Sequence, residues 1–252
     1  MAVGRNGTKK VVIDSFDLAP GRKIANKYEV LSLLGAGWEG EVYKIREIRT
    51  GIERAAKLFY PQRNPGNKTA KTYAQKLHKL RQVPILIQYH TEEILLVRKF
   101  PITVLISDYV EGELLSEFLK KFPGGRMHPY PALHLLYALT CGIEEIHLLN
   151  ETHGDLHTDN IIVNRFGLEF EVKLLDLFNG SIPKKETRLT DICELIRVFY
   201  DCLGGAKRYS KTPRTVKEIC CGLKRSLILK RFRTISHLRE HLECLDWSSD
   251  IF

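Results

Sequence analysis

The sequence lacks the features that mark several large classes of protein. No apolar run approaches the roughly 18 residues that a membrane-spanning helix needs, which excludes an integral membrane protein built on such helices. No apolar segment follows the basic residues near the N-terminus, so we expect no secretory signal. There is no internal repeat or low-complexity segment, and the hydrophobic (44%) and charged (27%) fractions are ordinary for a globular protein.

Paired cysteines are also missing. The six cysteines contain no CxxC pair, and no histidine stands at zinc-site spacing from them. We therefore expect reduced thiols, most of them buried, in a cytoplasmic chain.

Acidic residues are the scarcer charge, with 30 Asp and Glu against 39 Lys and Arg, so the formal net charge is +9. This balance favours acidic partners such as nucleotides, nucleic acid or anionic surfaces without choosing among them. The excess is large over Lys207–Arg233, where Glu218 alone is acidic. Such a stretch is most often a solvated helix face. The alternative is a surface for an acidic partner or nucleic acid, although base-stacking aromatics are sparse there.

Hydrophobic patterning divides the chain into a β-rich part and a helical part. Residues 1–26 are polar with weak periodicity and predict an N-terminal tail, with an edge strand as the alternative. Residues 27–107 contain five strand-like runs and one helix-like stretch, and residues 113–252 are mainly helical. With residues 108–112 as a connector, the pattern predicts an α+β fold of two lobes: a five-stranded antiparallel sheet with one helix, then a helical lobe.

A glycine-rich loop lies between the first two predicted strands. Gly35, Gly37 and Gly40 fit the pattern G-x-G-x-x-G, and glycines allow a backbone to approach phosphate oxygens closely. The motif alone is equally well explained as an ordinary hairpin turn. Its position between strands, and not at the start of a helix, argues against a Rossmann site. Lys57, in the apolar strand that follows, needs a counter-charge that nucleotide phosphates would supply.

A second group of polar residues occurs in the helical part. His153-Gly154-Asp155 precedes Asn160, and Asp176 directly follows an apolar strand. Phosphoryl transfer needs a carboxylate that orients the attacking hydroxyl, a role that suits Asp155, and oxygen ligands for Mg²⁺, a role that suits Asn160 and Asp176. Each residue alone is a common turn former. The ordered set, combined with the glycine loop and Lys57, is much more specific.

Together these motifs resemble the protein kinase-like superfamily over roughly residues 28–245. The resemblance implies a bilobal kinase fold that uses ATP and Mg²⁺. It implies that the three glycines cover the phosphates, that Lys57 contacts the α- and β-phosphates, that Asp155 is the catalytic base, and that Asn160 and Asp176 hold the metal. The other nucleotide-binding positions that it implies are Val42, Ala55, Asp108, Val110 and Ile162.

Four departures from the family pattern qualify this resemblance. No Asp or Glu occurs between Glu53 and Glu92, where a helix glutamate should pair with Lys57, and Tyr73 stands near that position. Either another carboxylate reaches Lys57, or the lysine relies on nucleotide. The catalytic loop reads His-Gly-Asp, without the arginine that would bind a phosphorylated activation loop. Asp176 is followed by Leu-Phe instead of Phe-Gly.

The fourth departure is a short segment between the metal-binding aspartate and the predicted helix anchor at Asp191, too short for a full activation segment and similar to the compact RIO kinases. Three functions follow from these features. The leading one is a compact serine/threonine protein kinase that also phosphorylates itself. The second is a small-molecule kinase of the aminoglycoside or choline kinase type, and the third is a nucleotide-binding pseudokinase scaffold.

Overall fold

The computed structural model describes residues 12–167, 169–178, 180 and 182–245, and the chain divides into two compact units. The first unit comprises the described residues up to Lys79 together with Gln88–Tyr109, and the second comprises Leu80–Ile87 and the residues from Val110 onward. The sequence prediction had assigned residues 80–87 to the first lobe. No helix in the described ranges has the length and apolar character needed to cross a membrane.

The first unit is an antiparallel sheet with one helix. Hydrogen bonds connect six strands in the order β1-β2-β3-β4-β6-β5. The sequence predicted five strands, and the additional one is β1, which is only two residues long and lies at the edge of the sheet. The elements are β1 (Lys23–Ile24), β2 (Tyr28–Ala36), β3 (Gly40–Glu47), β4 (Glu53–Phe59), α1 (Lys68–Lys79), β5 (Tyr89–Val97) and β6 (Phe100–Asp108).

Residues 12–26 pack onto this sheet instead of forming a tail, and Lys23–Ile24 form the edge strand that the sequence offered as the alternative. Ile13, Phe16 and Ile24 are buried in its hydrophobic core. The N–H of Phe16 donates to the buried carboxylate of Glu41 at 3.0 Å, and the hydroxyls of Tyr43 and Tyr60 donate to the same carboxylate. Three isolated apolar residues give no clear periodicity, so the sequence pattern did not reveal this segment as part of the core.

The second unit is mainly helical and contains a small antiparallel sheet in the order β7-β8-β9. The helix Pro129–Leu148, α3, carries an apolar stripe that is buried at Leu135, Leu139 and Ile143. The elements are β7 (Glu113–Leu114), α2 (Leu115–Lys120), α3 (Pro129–Leu148), β8 (Ile161–Phe166), β9 (Glu169–Leu174), α4 (Lys184–Cys202), α5 (Arg214–Cys220), α6 (Arg225–Arg231) and α7 (Ile235–Glu243).

Residues 80–87 join the second unit through the backbone of β9. The N–H of Leu174 donates to the carbonyl of Ile85 at 2.7 Å, and Leu86 forms a parallel bridge with Leu174. Ile85 also packs against α3 at Gly142, where an added Cβ would lie 2.4 Å from the Ile85 side chain. Because of these contacts, residues 80–87 belong to the second unit, although they directly follow α1 of the first unit.

Candidate active site

The glycine loop connects β2 to β3. The N–H of Gly37 donates to the carbonyl of Gly40 at 2.8 Å and closes the turn. At Gly40 an added Cβ would lie 1.8 Å from the carbonyl oxygen of Leu58, so glycine is required there by the close approach of β4. At Gly35 and Gly37 an added Cβ would meet nothing within 4 Å. Two of the three glycines therefore leave open space beside the loop backbone.

Lys57 has a carboxylate partner in this loop. Its Nζ lies 2.8 Å from Oε2 of Glu39, and the lysine side chain is only 12% exposed. The rings of Tyr73 on α1 and Phe59 on β4 lie 4.7 and 5.4 Å from the ammonium, within cation–π range. Tyr73 thus stands beside Lys57 where the resemblance would place a glutamate. Of the two alternatives that the sequence left open, the structure supports the first: another carboxylate reaches Lys57.

The remaining nucleotide-binding positions are divided between the two units. Val42 on β3 pairs with Lys57 on β4, and Ala55 lies two residues before that lysine. The carboxylate of Asp108 contacts Arg54 and His90, both at 2.6 Å, so a nucleotide contact there would use the backbone. The other two positions, Val110 and Ile162, belong to the second unit, with Ile162 on β8.

Within the second unit, the three predicted catalytic and metal-binding residues come together. Nδ2 of Asn160 donates to the backbone carbonyl of Asp155 at 2.9 Å and to its carboxylate at 3.3 Å. The N–H of Leu175 donates to the carbonyl of Asn160 at 2.9 Å, which places Asp176 next to this loop. The side chain of Asp155 is 55% exposed. This carboxylate is therefore accessible to solvent.

A buried carboxylate on α4 holds the loop backbone in place. Oδ1 of Asp191 accepts the N–H of Gly154 at 2.6 Å, and Oδ2 accepts the N–H of His153 at 3.0 Å. The ring of His147 lies 2.8 Å from the same carboxylate. Asp191 is completely buried, so these contacts satisfy a charge that would otherwise be costly. This is the anchoring role that the resemblance implied.

The backbone conformation and the close packing at position 154 explain why His-Gly-Asp contains a glycine. Gly154 adopts a φ of +83°, and an added Cβ would lie 2.8 Å from Thr187 and 2.9 Å from Phe178. Phe178 is itself fastened to the loop, because its N–H donates to the carbonyl of His153 at 2.8 Å. Any side chain at position 154 would collide with this arrangement. An arginine at position 154 is therefore excluded by the residues that pack against it, among them Phe178, two residues after Asp176.

Asn160 and Asp176 fit a magnesium ion by their chemistry, because Mg²⁺ prefers amide and carboxylate oxygens. The amide nitrogen of Asn160 is used toward Asp155, while its Oδ1 accepts no hydrogen bond from the residues that the structure describes. Asp176 adopts a left-handed φ of +50° just after β9. Among the described residues no three His, Cys, Asp or Glu side chains form a metal cluster. Asn160 and Asp176 are the residues that would hold such a metal.

Sequence reasoning did not single out Glu194 as a functional residue. Its Oε2 accepts the N–H of Leu156, next to Asp155, at 2.9 Å. Burial raises the pKa of this carboxyl to about 7, although the hydrogen bond from Leu156 acts in the opposite direction. Only its place three residues after Asp191, on the same helix, linked it to the catalytic loop.

The basic stretch Lys207–Arg233 extends over α5 and α6. Arg231 has a carboxylate partner, since its Nη2 lies 3.5 Å from Oε2 of Glu218. Arg231 and the neighbouring Arg233 also border an open cavity of about 540 Å³. The other residues that line this cavity are His237, Glu240, His241 and Cys244.

The sequence profile of the protein kinase domain matches residues 28–194, more than half of the chain. The chain belongs to the protein kinase family. The matched range of this kinase domain contains the glycine loop, Lys57, the catalytic loop and Asp176, and it ends at Glu194.

Two curated relatives of this kinase domain are serine/threonine-protein kinase PrkC of Bacillus subtilis and calcium-dependent protein kinase 4 of Plasmodium falciparum. PrkC is 26% identical over 173 residues, which cover 68% of this chain and 25% of PrkC. The Plasmodium kinase is 29% identical over 185 residues, which cover 67% of this chain and 33% of that protein. This chain therefore spans a quarter to a third of the length of these relatives.

Among solved structures, the kinase domain of PknI from Mycobacterium tuberculosis, crystallised as a double mutant, is similar in fold. Its TM-score is 0.64 at 16% sequence identity, and the match covers 90% of this chain and 96% of the PknI domain. The predicted fold class is confirmed by this similarity.

The raised pKa of Glu194 predicts a pH-dependent contribution to stability. Between its ordinary value of 4.5 and about 7 the folded state retains a proton that the unfolded state has lost. The stabilisation is therefore complete below about pH 4.5 and is lost as the pH rises through about 7. Glu194→Gln should remove this dependence, measured as the free energy of unfolding in urea at pH 5 and pH 8. Glu240→Gln, at an exposed carboxyl, is the control. An equal pH slope for wild type and Glu194→Gln would contradict the assignment.

Proposed function

We propose that this chain is an ATP- and Mg²⁺-dependent serine/threonine protein kinase that also phosphorylates itself. Family membership supports the class of reaction, and the two relatives named above share it by name. The observation that carries the proposal is the hydrogen bonding that joins Asp155, Asn160 and the residue before Asp176. A base and two metal ligands in one loop system are what phosphoryl transfer requires.

The roles of the residues follow from their chemistry. Asp155 orients the acceptor hydroxyl and accepts its proton, and Asn160 and Asp176 hold Mg²⁺. Lys57 binds the phosphates, while Gly35 and Gly37 allow the loop backbone to approach them. Bound Mg²⁺-ATP supplies the phosphoryl group and the neutralisation of phosphate charge. The family resemblance assigns adenine contacts to Val42 and Ala55 of the first unit and to Ile162 of the second, and it assigns backbone contacts to Asp108 and Val110 of the connector at 108–112.

Two observations weigh against the alternative functions. The relatives named above are protein kinases, which does not favour a small-molecule kinase. The missing helix glutamate was the main reason to consider a pseudokinase scaffold, and Glu39 supplies a carboxylate to Lys57. The complete set of Asp155, Asn160 and Asp176 favours an active enzyme.

A cytoplasmic location is part of the proposal. All six cysteines are free thiols, and Cys202 and Cys220 are fully buried. Burial raises the pKa of both thiols and keeps them in the unreactive form. Free thiols in this number suit a reducing compartment.

The catalytic proposal predicts self-labelling that depends on Asp155. Purified protein incubated with radiolabelled ATP and Mg²⁺ should incorporate phosphate, detected by autoradiography and by a mass gain of the intact chain. Asp155→Asn should reduce the rate at least about 100-fold, because the base is removed and the fold is kept. Asp159→Asn changes an exposed carboxylate four residues away and should label normally. Label that persists in both Asp155→Asn and Lys57→Ala would refute the proposal, and binding of Mg²⁺-ATP without turnover would support the scaffold.

The glycine loop predicts different effects for two substitutions. Gly37→Ala should keep the free energy of unfolding within about 0.5 kcal/mol of wild type, since a methyl group meets open space. It should weaken Mg²⁺-ATP binding, measured by calorimetry, because the methyl group takes the space of a phosphate. Gly40→Ala should cost about 1–3 kcal/mol of stability, because the methyl group overlaps the Leu58 carbonyl. Unchanged ATP affinity in Gly37→Ala would argue against a phosphate-binding role for the loop.

We also propose that the basic stretch and the cavity beside it bind an acidic protein segment. Nucleic acid is less favoured, since Phe232 is buried and Tyr209 packs against Tyr200, so neither offers a stacking platform. A labelled polyglutamate peptide should bind, and bind more weakly at 200 than at 50 mM salt. Arg233→Gln should weaken binding roughly two- to fivefold and Glu240→Gln should strengthen it. Lys71→Gln on α1 is the charge-matched control. Tighter binding of a single-stranded oligoribonucleotide would overturn the choice of partner.

A further inference from the structure

The charge of Lys57 poses a problem that α1 does not solve. The lysine is largely buried, and a buried ammonium is stable only when paired. The sequence of α1, Lys68–Lys79, contains no carboxylate at all. Its contribution beside Lys57 is the ring of Tyr73, which attracts a cation but carries no counter-charge.

Glu39 is held in place to serve this lysine. Its backbone carbonyl accepts the N–H of Tyr60, just beyond β4, at 2.9 Å. The neighbouring Trp38 stacks on the guanidinium of Arg63, 4.0 Å from the ring centroid. The glycine loop is thus fixed at two points to the chain just beyond the end of β4, and the Glu39 carboxylate, 29% exposed, reaches Lys57 from a restrained position.

The geometry leaves the lysine able to act on a ligand. An ammonium has three N–H donors, so the bond to Glu39 does not prevent a bond to phosphate oxygens. The carboxylate, the Tyr73 ring and the Phe59 ring restrict where Nζ lies. A restrained donor loses less entropy when it binds, which favours affinity.

We propose that Glu39 is the positioning residue for Lys57 and supplies from the glycine loop the counter-charge that α1 lacks. This inference rests on the proposed function, because the task of Lys57 is to bind nucleotide phosphates. As a consequence, the ion pair couples the position of the Lys57 ammonium to that of the glycine loop between β2 and β3. On α1, Tyr73 contacts Lys57 through its ring, which is a weaker interaction than an ion pair.

The test measures Mg²⁺-ATP affinity, KM and kcat for matched variants. Glu39→Gln keeps the shape of the side chain and removes its charge. It should raise KM for ATP about tenfold, the loss expected for a charge-assisted hydrogen bond, with a smaller effect on kcat. The KM of Glu39→Asp for ATP should lie between the values for Glu39→Gln and wild type. Glu47→Gln, at a carboxylate near the far end of β3, should leave KM unchanged.

A second substitution tests positioning directly. In the Glu39→Gln background, Tyr73→Glu places a carboxylate on α1 beside Lys57 and should restore most of the lost affinity, whereas Tyr73→Gln should not. Thermal melting identifies any double variant that fails to fold, and in that case the graded effect of Glu39→Asp decides the question.

The outcomes separate this inference from the proposed function. An active wild type with unchanged KM in Glu39→Gln overturns the inference alone. A lower KM in Glu39→Gln also overturns it, since Glu39 would then occupy the place of a phosphate. A wild type that binds no Mg²⁺-ATP overturns the proposed function and the inference together.

Discussion

A charge removed from water must be paired, and this constraint shapes a candidate functional loop in each of the two units. In the first unit it brings the Glu39 carboxylate onto Lys57, and in the second it surrounds Asp191 with two backbone N–H groups and an imidazole. Each pairing holds in place a loop that consists mainly of small and polar residues. The glycine loop and the catalytic loop are therefore ordered by buried electrostatics as much as by hydrophobic contacts.

The parts of the site that depend on short stretches of sequence could be predicted from the sequence. Asp155 and Asn160 lie five residues apart in one loop, so their spacing alone indicated a shared role, and the structure joins them by a hydrogen bond. The partner of Lys57 could not be identified in this way. The pairing of Glu39 depends on how the loop folds back over β4, which no periodicity records. The sequence showed only that α1 lacked the expected carboxylate.

Element boundaries show the same limit. α4 begins at Lys184, seven residues before the predicted anchor at Asp191, because Pro183 initiates a helix whose first turns are polar. α6 was not predicted, since Ile228 is its one buried residue among exposed cations. In both cases tertiary contacts stabilise a helix whose own sequence carries little amphipathic signal. The β-rich first unit, with strong alternation, was predicted more completely.

The N-terminal segment has a consequence for the phosphate-binding end of the sheet. Glu41, which accepts the N–H of Phe16, is the residue directly after Gly40 on β3. A chain shortened to begin at residue 27 would expose the hydrophobic residues of the sheet that Ile13, Phe16 and Ile24 cover. It would also remove one of the hydrogen-bond donors that stabilise the buried carboxylate of Glu41. The disturbance would begin at Glu41, one residue from Gly40 of the glycine loop. Residues 12–26 thus support the start of β3, although they precede it in the chain.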